Sequence, residues 1–282
     1  MEGGQSNKKI AFIIQARMKS TRLPGKILLP IPLGGDKTLL SWILDELNFS
    51  EFDNKIIVAS STNTENDILE AFCKKNKVEI FRGNEEDVLS RFISIAKRDN
   101  YNCVVRLTAD NPVIDIKILD DTIKYHFFNN NDYTNTVGLP IGMNFEVIAP
   151  DALISLENCN LNDSDREHVT LFIKNNSQFK KGEYVVSCEE IFKDFRLTVD
   201  YSSDYTLLSS IFSQINNNVG LRGIELIKVT YSKFPWLFES NSFNFQKRQF
   251  PTINLEIKEA HYLLDQFELK NASEILKKHL ES

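Results

Sequence analysis

The sequence has few cysteines, and they lie far apart. Among its 282 residues there are only four, with no Cys-x-x-Cys pair: Cys73, Cys103, Cys159 and Cys188. Zinc sites and disulfide frameworks both need closer or recurring spacings, so neither is expected here. We expect reduced thiols, most of them buried.

A long apolar run is also missing. The first apolar stretch, Ile10–Ile14, is interrupted after five residues by Gln15 and then Arg17. A signal peptide or a membrane span needs a longer run than this. The sequence therefore predicts a soluble, cytoplasmic protein with no membrane partner.

There is no excess of positive charge either. The chain has 33 Lys and Arg against 39 Asp and Glu, a formal net charge of −6. This balance argues against nucleic acid as a partner, although a local basic pocket is enough to bind a small anionic substrate. Hydrophobic residues make up 42% of the chain, which excludes a disordered protein and provides for a large core.

Short apolar runs alternate with helix-length segments in the first half of the chain. Such uninterrupted apolar strands are typical of a sheet that is covered on both faces. The predicted strands are Ile10–Ile14, Lys55–Ala59, Val78–Phe81 and Cys103–Leu107, and the predicted helices between them are Thr38–Leu47, Thr64–Asn76 and Glu85–Arg98. The order indicates an α/β fold with a parallel, doubly wound sheet.

The second half of the chain has shorter elements. We predict helices at Ile116–Phe128, Ala152–Glu157 and Arg166–Asn175, and strands at Phe145–Ile148, Tyr184–Ser187 and Phe195–Val199. With no long linker in the sequence, we expect a disordered N-terminus over 1–8, one domain over 9–230, and an aromatic arm with C-terminal helices over 231–282. The arm's aromatic residues are expected to pack in a core or a dimer, with a binding platform as the alternative: Trp236, Phe238, Phe243 and Phe245.

The loop after the first strand is unusually basic. The 33 residues from Gly3 to Gly35 contain six Lys or Arg and no acid. An open α/β sheet places its ligand at such a loop, where backbone N–H groups hold phosphates and Arg17, Arg22 and Lys26 neutralise their charge. The loop matches neither G-x-x-x-x-G-K-[ST] nor G-x-G-x-x-G, and a solvated basic turn is the alternative.

Two acidic residues are predicted at the same edge of the sheet. Asp110 follows the fourth strand, and Asp200 ends the strand predicted at Phe195–Val199. Together they would hold Mg²⁺ that bridges phosphate oxygens. The alternative is that Asp110 or Asp115 caps the next helix.

Several motifs resemble those of the cytidylyltransferases that make CMP-activated sugars. The loop Ile14–Lys26 is similar to the signature loop of the SpsF-like branch and of CMP-Kdo synthetases. Further motifs occur in the SpsF-like order across about residues 10–210: Val58–Ser61, Arg82-Gly83 with Asp87–Arg91, Arg106–Pro112, Asp165–Thr170 and Arg196–Asp200. Lys19 and Ala109 depart from the family pattern, where Gly and an additional acid are common.

The resemblance implies a three-layer α/β/α nucleotide-diphospho-sugar transferase fold with a mainly parallel sheet and a C-terminal helical extension. It also implies a homodimer, CTP as co-substrate, and attack of an acceptor oxygen on the α-phosphorus with release of pyrophosphate. The residues carried over are Arg17, Lys26 and Asp110 for catalysis, Asp110 and Asp200 for Mg²⁺, and Ala16, Arg17, Arg22, Lys26, Ser61, Arg82 and Arg106 for the nucleotide.

The acceptor is expected to be small and anionic, such as a keto-acid sugar of the nonulosonic acid type. The candidate acceptor-binding residues are Glu146, Arg166 and His168, with a packed structural role as the alternative for His168. The rival functions are activation of a phosphorylated metabolite to a CDP-linked product and a non-catalytic nucleotide-binding scaffold. A glycosyltransferase is disfavoured, because the only Asp-x-Asp, Asp163-Ser-Asp165, is predicted to begin a helix.

Overall fold

The computed structural model describes residues 8–215, 220–244 and 252–280. Contacts divide the chain into two units, one ending at Phe243 and the other beginning at Asn244. The boundary therefore lies later than the predicted position after residue 230. Of the residues expected to be disordered, 1–7 lie outside the described ranges.

The aromatic arm explains the later boundary. Phe238 is buried in the first unit, with its ring centroid 4.4 Å from that of Phe195 and 5.5 Å from that of Tyr231. Trp236 and Phe243 are exposed instead, and Phe245 lies outside the described residues. One ring of the arm therefore belongs to the core, as expected, and two do not.

One mainly parallel sheet organises the first unit, as the sequence predicted. Within the described residues its strand order is β3-β2-β1-β4-β6-β5-β7, and only β6 runs antiparallel to its neighbours. The strands are β1 Lys9–Gln15, β2 Asp53–Ser61, β3 Glu79–Gly83, β4 Cys103–Thr108, β5 Tyr133–Val137, β6 Glu146–Ile148 and β7 Lys181–Val185.

Helices cover both faces of this sheet. They are α1 Leu39–Leu47, α2 Asp67–Lys75, α3 Val88–Arg98, α4 Ile116–Asn129, α5 Pro150–Ser155, α6 Asp163–His168, α7 Leu171–Asn175, α8 Glu190–Lys193, α9 Ser202–Ser213 and α10 Gly223–Lys233. Because side chains alternate along a strand, Phe12 and Ile14 of β1 pack with α1, α2 and α4, whereas Ala11 and Ile13 pack with α3 and α5. The result is the expected three-layer arrangement.

Two predicted elements differ in the structure. Phe195–Val199 is not a strand, since within the described residues its only ladder contact is an isolated bridge between Ile141 and Arg196. The helix predicted over Arg166–Asn175 is split into α6 and α7, because Val169 between them has a φ of 59°, which no right-handed helix accommodates.

The second unit contains two helices that pack against each other, α11 Ile253–Gln266 and α12 Lys270–Leu280. Ser273 of α12 lies 2.6 Å from Nδ1 of His261 on α11. These are the amphipathic helices that the sequence indicated at the C-terminus.

Within the described residues, no helix is both long and apolar enough to cross a bilayer. All four cysteines are free, with Cys73 and Cys103 buried and Cys159 and Cys188 partly exposed.

Candidate active site

A cleft of about 620 Å³ lies at the carboxyl ends of the parallel strands. Residues from the loop after β1, the ends of β2 and β4, and the first turns of α3 and α6 line it. It contains many of the residues predicted from the sequence: Ala16, Arg17, Arg22, Lys26, Ser61, Arg106, Asp110 and Asp200. Ligands of open α/β sheets bind at this edge.

The basic loop is held in place by specific contacts. Gly25 has a φ of 68° and donates its N–H to the Met18 carbonyl at 3.1 Å, which closes the loop on itself. The side chain of the buried Asn66 accepts from the Met18 N–H at 2.8 Å and donates to the Ser61 hydroxyl at 2.8 Å. Asn66 thus fastens the loop to β2, a role that the sequence analysis missed.

Lys26 joins the two predicted metal ligands. Its Nζ lies 2.7 Å from Oδ2 of Asp110, 2.9 Å from Oδ1 of Asp200 and 2.6 Å from the Val199 carbonyl oxygen. Asp110 is available for this contact because Asp115, not Asp110, caps α4 by accepting from the Ile118 N–H. The two carboxylates therefore converge on one point.

The position of Asp200 follows from a second set of bonds behind the cleft. The buried Asp204 accepts from the N–H groups of Asp200 and Tyr201, both at 2.9 Å, while Arg196 bridges Asp204 at 3.1 Å and Asp200 at 2.6 Å. The Val199 N–H donates to the Asp110 carbonyl at 2.9 Å. Asp200 thus reaches the cleft without the predicted strand.

Positive charge surrounds the Asp200 carboxylate. Burial raises the pKa of this group, but the hydrogen bonds and charges of Lys26, Arg22 and Arg196 outweigh burial and hold the pKa below its ordinary value. Asp200 is therefore ionised at neutral pH.

Glu146 lies beside the cleft rather than on its surface. Its buried carboxylate accepts from Arg106 at 2.7 Å, Tyr133 at 2.7 Å and Thr170 at 2.9 Å, and pairs with Lys174 at 2.5 Å. Burial opposes its ionisation, but these cations and hydrogen bonds lower its pKa to about 2. Glu146 is not among the residues that line the cleft, but its partner Arg106 is, so Glu146 positions a lining residue.

Three further candidates also lie outside the cleft lining. Arg82 donates to the Ser61 carbonyl at 3.0 Å and pairs with Asp67 and Glu70, which occupies its guanidinium. Arg166 pairs with Asp87 at 2.6 Å, and His168 is exposed. Ligand contacts predicted for these side chains are thus not favoured by this arrangement.

Arg91 and Glu167 are among the lining residues that were not predicted as site residues. Arg91 of α3 belongs to a motif quoted above for the resemblance, but no role was drawn from it. Glu167 lines the cleft one position before the predicted His168, because the turn of α6 directs it there.

Comparison with known proteins decides the family. A model of the cytidylyltransferase family matches residues 11–233. The chain belongs to the cytidylyltransferase family. It is 36% identical over 224 residues to the spore coat polysaccharide biosynthesis protein SpsF of Bacillus subtilis, covering 77% of this chain and 92% of SpsF.

Solved structures agree with this membership. A cytidylyltransferase from Leptospira borgpetersenii is 32% identical, with a TM-score of 0.74 over 86% of this chain and 100% of that one. A CMP:2-keto-3-deoxy-manno-octonic acid synthetase complexed with CTP shares the fold at 13% identity, with a TM-score of 0.54 over 73% of this chain and 99% of that one. The predicted fold and family are confirmed, and the chain is a CTP-dependent nucleotidyltransferase.

The carboxylates of Asp110 and Asp200, which converge on the Lys26 ammonium, suit a hard divalent cation. Mg²⁺ is bound by one or two carboxylates and completed by water and phosphate oxygens, which is what Asp110 and Asp200 offer. No group of three or more metal-binding side chains occurs in the part of the chain that the structure describes. The Lys26 ammonium lies between the two carboxylates, so a metal that binds both would have to replace it.

Proposed function

We propose that this cytidylyltransferase transfers CMP from CTP to the hydroxyl group of a keto-acid sugar, such as a nonulosonic acid, with release of pyrophosphate. The observation that carries the proposal is the convergence of Lys26, Asp110 and Asp200 in a cleft that the basic loop also lines. Phosphoryl transfer depends mainly on positioning and on neutralising charge at phosphorus, and this arrangement supplies both.

The cations of the loop have the central part in the proposed reaction. Charge builds up on the phosphate oxygens as pyrophosphate leaves, and Arg17, Arg22 and Lys26 would stabilise it from a site that is already organised. The ion pairs of Lys26 and Arg22 with Asp200 hold their side chains at the cleft before the nucleotide arrives. Both side chains are therefore at the cleft from the start, although the Lys26 ammonium has to leave the acid pair when Mg²⁺ binds there.

Mg²⁺ is part of the proposal. Asp110 and Asp200 would hold it, and when bound it would supply Lewis-acid stabilisation of the phosphate oxygens. Arg22 and Arg196 also lower the pKa of Asp200, so this carboxylate would stay ionised, as a metal ligand has to be, once Mg²⁺ displaced Lys26.

A sugar acceptor is supported by two further acids in the cleft lining. Asp163 and Glu167 of α6 line it, and ionised carboxylates accept hydrogen bonds from hydroxyl groups. The name of SpsF supports polysaccharide biosynthesis as the purpose of the product. The homodimer implied by the family resemblance and the cytoplasmic location expected from the lack of a long apolar run stay predictions.

Pyrophosphate release tests the proposal. The protein with Mg²⁺ is given CTP, UTP, ATP or GTP and a panel of keto-acid sugars, and the product is weighed by mass spectrometry. We expect release with CTP and a keto-acid sugar, a CMP-linked product, and loss of turnover in Asp110→Ala. Asp121→Ala, which removes an acid paired with Lys117 away from the cleft, is the matched control.

The other outcomes are also informative. Turnover only with phosphorylated acceptors, giving a product heavier by a phosphoryl group, would replace the keto-acid sugar with a phosphorylated metabolite. Full activity of Asp110→Ala would refute the role given to the acid pair.

A further inference from the structure

Asn241 is a buried polar residue at the end of a 3₁₀ helix in the aromatic arm. Only 2% of the residue is exposed, whereas its neighbours Ser240 and Ser242 are exposed. The helix runs over Pro235–Asn241, and its buried residues are Phe238 and Asn241. Because residues three apart in a 3₁₀ helix lie on the same face, the ring of Phe238 and the amide of Asn241 enter the first unit together.

The side-chain amide of Asn241 donates to two buried acceptors. Its Nδ2 lies 2.8 Å from Oδ1 of Asp204 and 2.9 Å from the Arg196 carbonyl oxygen. Asp204 is fully buried, and only 5% of Arg196 is exposed. Acceptors buried in this way need hydrogen-bond donors from the protein. The amide therefore fixes the Asp204 carboxylate and the Arg196 backbone at the same time.

Asp204 and Arg196 both hold Asp200. Oδ2 of Asp204 accepts from the Asp200 N–H at 2.9 Å, and Nη2 of Arg196 donates to Oδ2 of Asp200 at 2.6 Å. The other carboxylate oxygen of Asp200, Oδ1, lies 2.9 Å from Nζ of Lys26 in the cleft. Asn241 thus acts on both the backbone and the carboxylate of Asp200, and so on which of its oxygens faces the cleft.

The position of Asp200 depends on side-chain bonds more than that of Asp110 does. Asp110 follows β4, which pairs with β1 on one side and β6 on the other. The segment before Asp200 is not a strand, and Asp204 and Arg196 hold the turn that follows it. Loss of a bond that fixes Asp204 and Arg196 should therefore move Asp200 and leave Asp110 in place.

Asn241 lies beyond the segment that the family model matches, which ends at residue 233. Aromatic packing brings it to the site. The ring centroid of Phe238 is 4.4 Å from that of Phe195, and Phe195 directly precedes Arg196. The arm therefore contributes a polar residue to the bonds behind the cleft, and motifs within the matched segment do not include it.

We infer that Asn241 is a positioning residue for the transfer reaction, because it fixes the two groups that orient the Asp200 carboxylate toward the cleft. The inference rests on the proposed function for the role of Asp200 as a metal ligand. Residues that orient a metal ligand through hydrogen bonds change metal affinity or activity by about 10–100-fold when they are replaced.

Binding of CTP with and without Mg²⁺, in the absence of an acceptor, tests this inference. Calorimetry gives the CTP affinity of each protein in Mg²⁺ and in EDTA, and the ratio of the two affinities is the gain that the metal provides. Asn241→Leu keeps the branched shape of the side chain and Asn241→Ala shortens it, but both remove the N–H donors.

We expect each Asn241 variant to lose about tenfold or more of the gain from Mg²⁺. The CTP affinity in EDTA should not fall, because Lys26 and Arg22 still line the cleft. A merely structural role would lower the two affinities equally. If one variant fails to fold, the other decides the test.

Two controls on the same arm separate positioning from stability. Phe238→Leu loosens the buried ring of the arm and keeps the Asn241 amide, so it should lower the melting temperature and retain the wild-type gain from Mg²⁺. Ser240→Ala changes an exposed neighbour, whose hydroxyl donates to the Leu237 carbonyl, and should alter neither quantity by much.

The contrary results are distinct. A wild-type gain from Mg²⁺ in the folded Asn241 variants, or an equal fall of CTP affinity in Mg²⁺ and in EDTA, would overturn the positioning role. A wild type whose CTP affinity gains nothing from Mg²⁺ would refute the metal role in the proposed function and this inference with it. A gain that the variants lose, in a wild type that transfers CMP to no keto-acid sugar, would refute only the proposed acceptor.

Discussion

Replacing Lys26 with Met tests the electrostatics of the acid pair most directly. Met keeps the length and apolar stem of the side chain but removes the ammonium that lies between Asp110 and Asp200. Breaking a buried ion pair in this way costs about 3–5 kcal/mol, so we expect a loss of that size in the free energy of unfolding. Part of the loss is the Val199 carbonyl, which loses its 2.6 Å hydrogen bond.

The distances give the size of the repulsion that remains. The two carboxylate oxygens lie 2.7 and 2.9 Å from the same Nζ, so they are at most about 5.6 Å apart. At an effective dielectric constant of about 20, two unit charges at that separation repel by about 3 kcal/mol. Asp110→Asn removes this repulsion, so it should return about 3 kcal/mol to the Lys26→Met protein.

Urea unfolding followed by circular dichroism measures these differences. Lys117→Met is the matched control, because Lys117 forms an exposed pair with Asp121 and its loss should cost less than about 1 kcal/mol. A Lys26→Met protein as stable as the wild type, or one that Asp110→Asn destabilises further, would refute the reasoning.

Three further predictions concern residues around the site. The pKa of Glu146 is about 2 in the folded state, against an ordinary value of 4.5. The ionised carboxylate therefore contributes its full stabilisation above pH 4.5, and this contribution is lost as the pH falls toward 2. In urea unfolding between pH 5 and pH 2, the free energy of unfolding of the wild type should fall by about 3 kcal/mol more than that of Glu146→Gln. Asp204→Ala should lower the free energy of unfolding in urea by about 3–5 kcal/mol, because it leaves the buried Arg196 with one partner fewer and removes the acceptor for two backbone N–H groups. Gly142→Ala should lower the melting temperature more than Gly34→Ala, since both have positive φ but only at Gly142 would a Cβ meet backbone, 2.8 Å from Leu197.

Each of these has a contrary result. Equal acid sensitivity of the wild type and Glu146→Gln would show that Glu146 is not selectively stabilised as a carboxylate. A fully stable Asp204→Ala would mean that Arg196 finds a replacement partner. Equal melting temperatures of the two glycine variants would mean that the backbone at Leu197 shifts to make room without a loss of stability.

Regular secondary structure was largely predictable because its signal is local. The first four strands and the helices between them follow from apolar runs and periodicity that neighbouring residues carry. Phe195–Val199 has the same apolar character, yet it is not a strand, because Ile141 alone among the described residues forms a bridge with it. Apolar spacing predicts burial there, but pairing depends on a distant segment.

Part of the predicted site forms even where the secondary structure predicted for it is wrong. Asp200 reaches the acid pair although its predicted strand is absent, because Asp204 and Arg196 hold the turn that contains it. Arg82 and Arg91 show the limit of motif matching. Both occur in the motifs that carry the resemblance, but Arg82 pairs with acids of α2, while Arg91 lines the cleft and forms no ion pair within the described residues.

The sequence by itself determined the fold class, the basic loop and the family, since these depend on residue type and order along the chain. Only the tertiary structure decided which charges are paired. It placed Lys26 between Asp110 and Asp200, paired Asp87 with Arg166, and left Arg91 without an ion pair among the described residues. The physical reason is that an ion pair requires a separation of a few ångströms, which residues far apart in the chain acquire only when the chain folds.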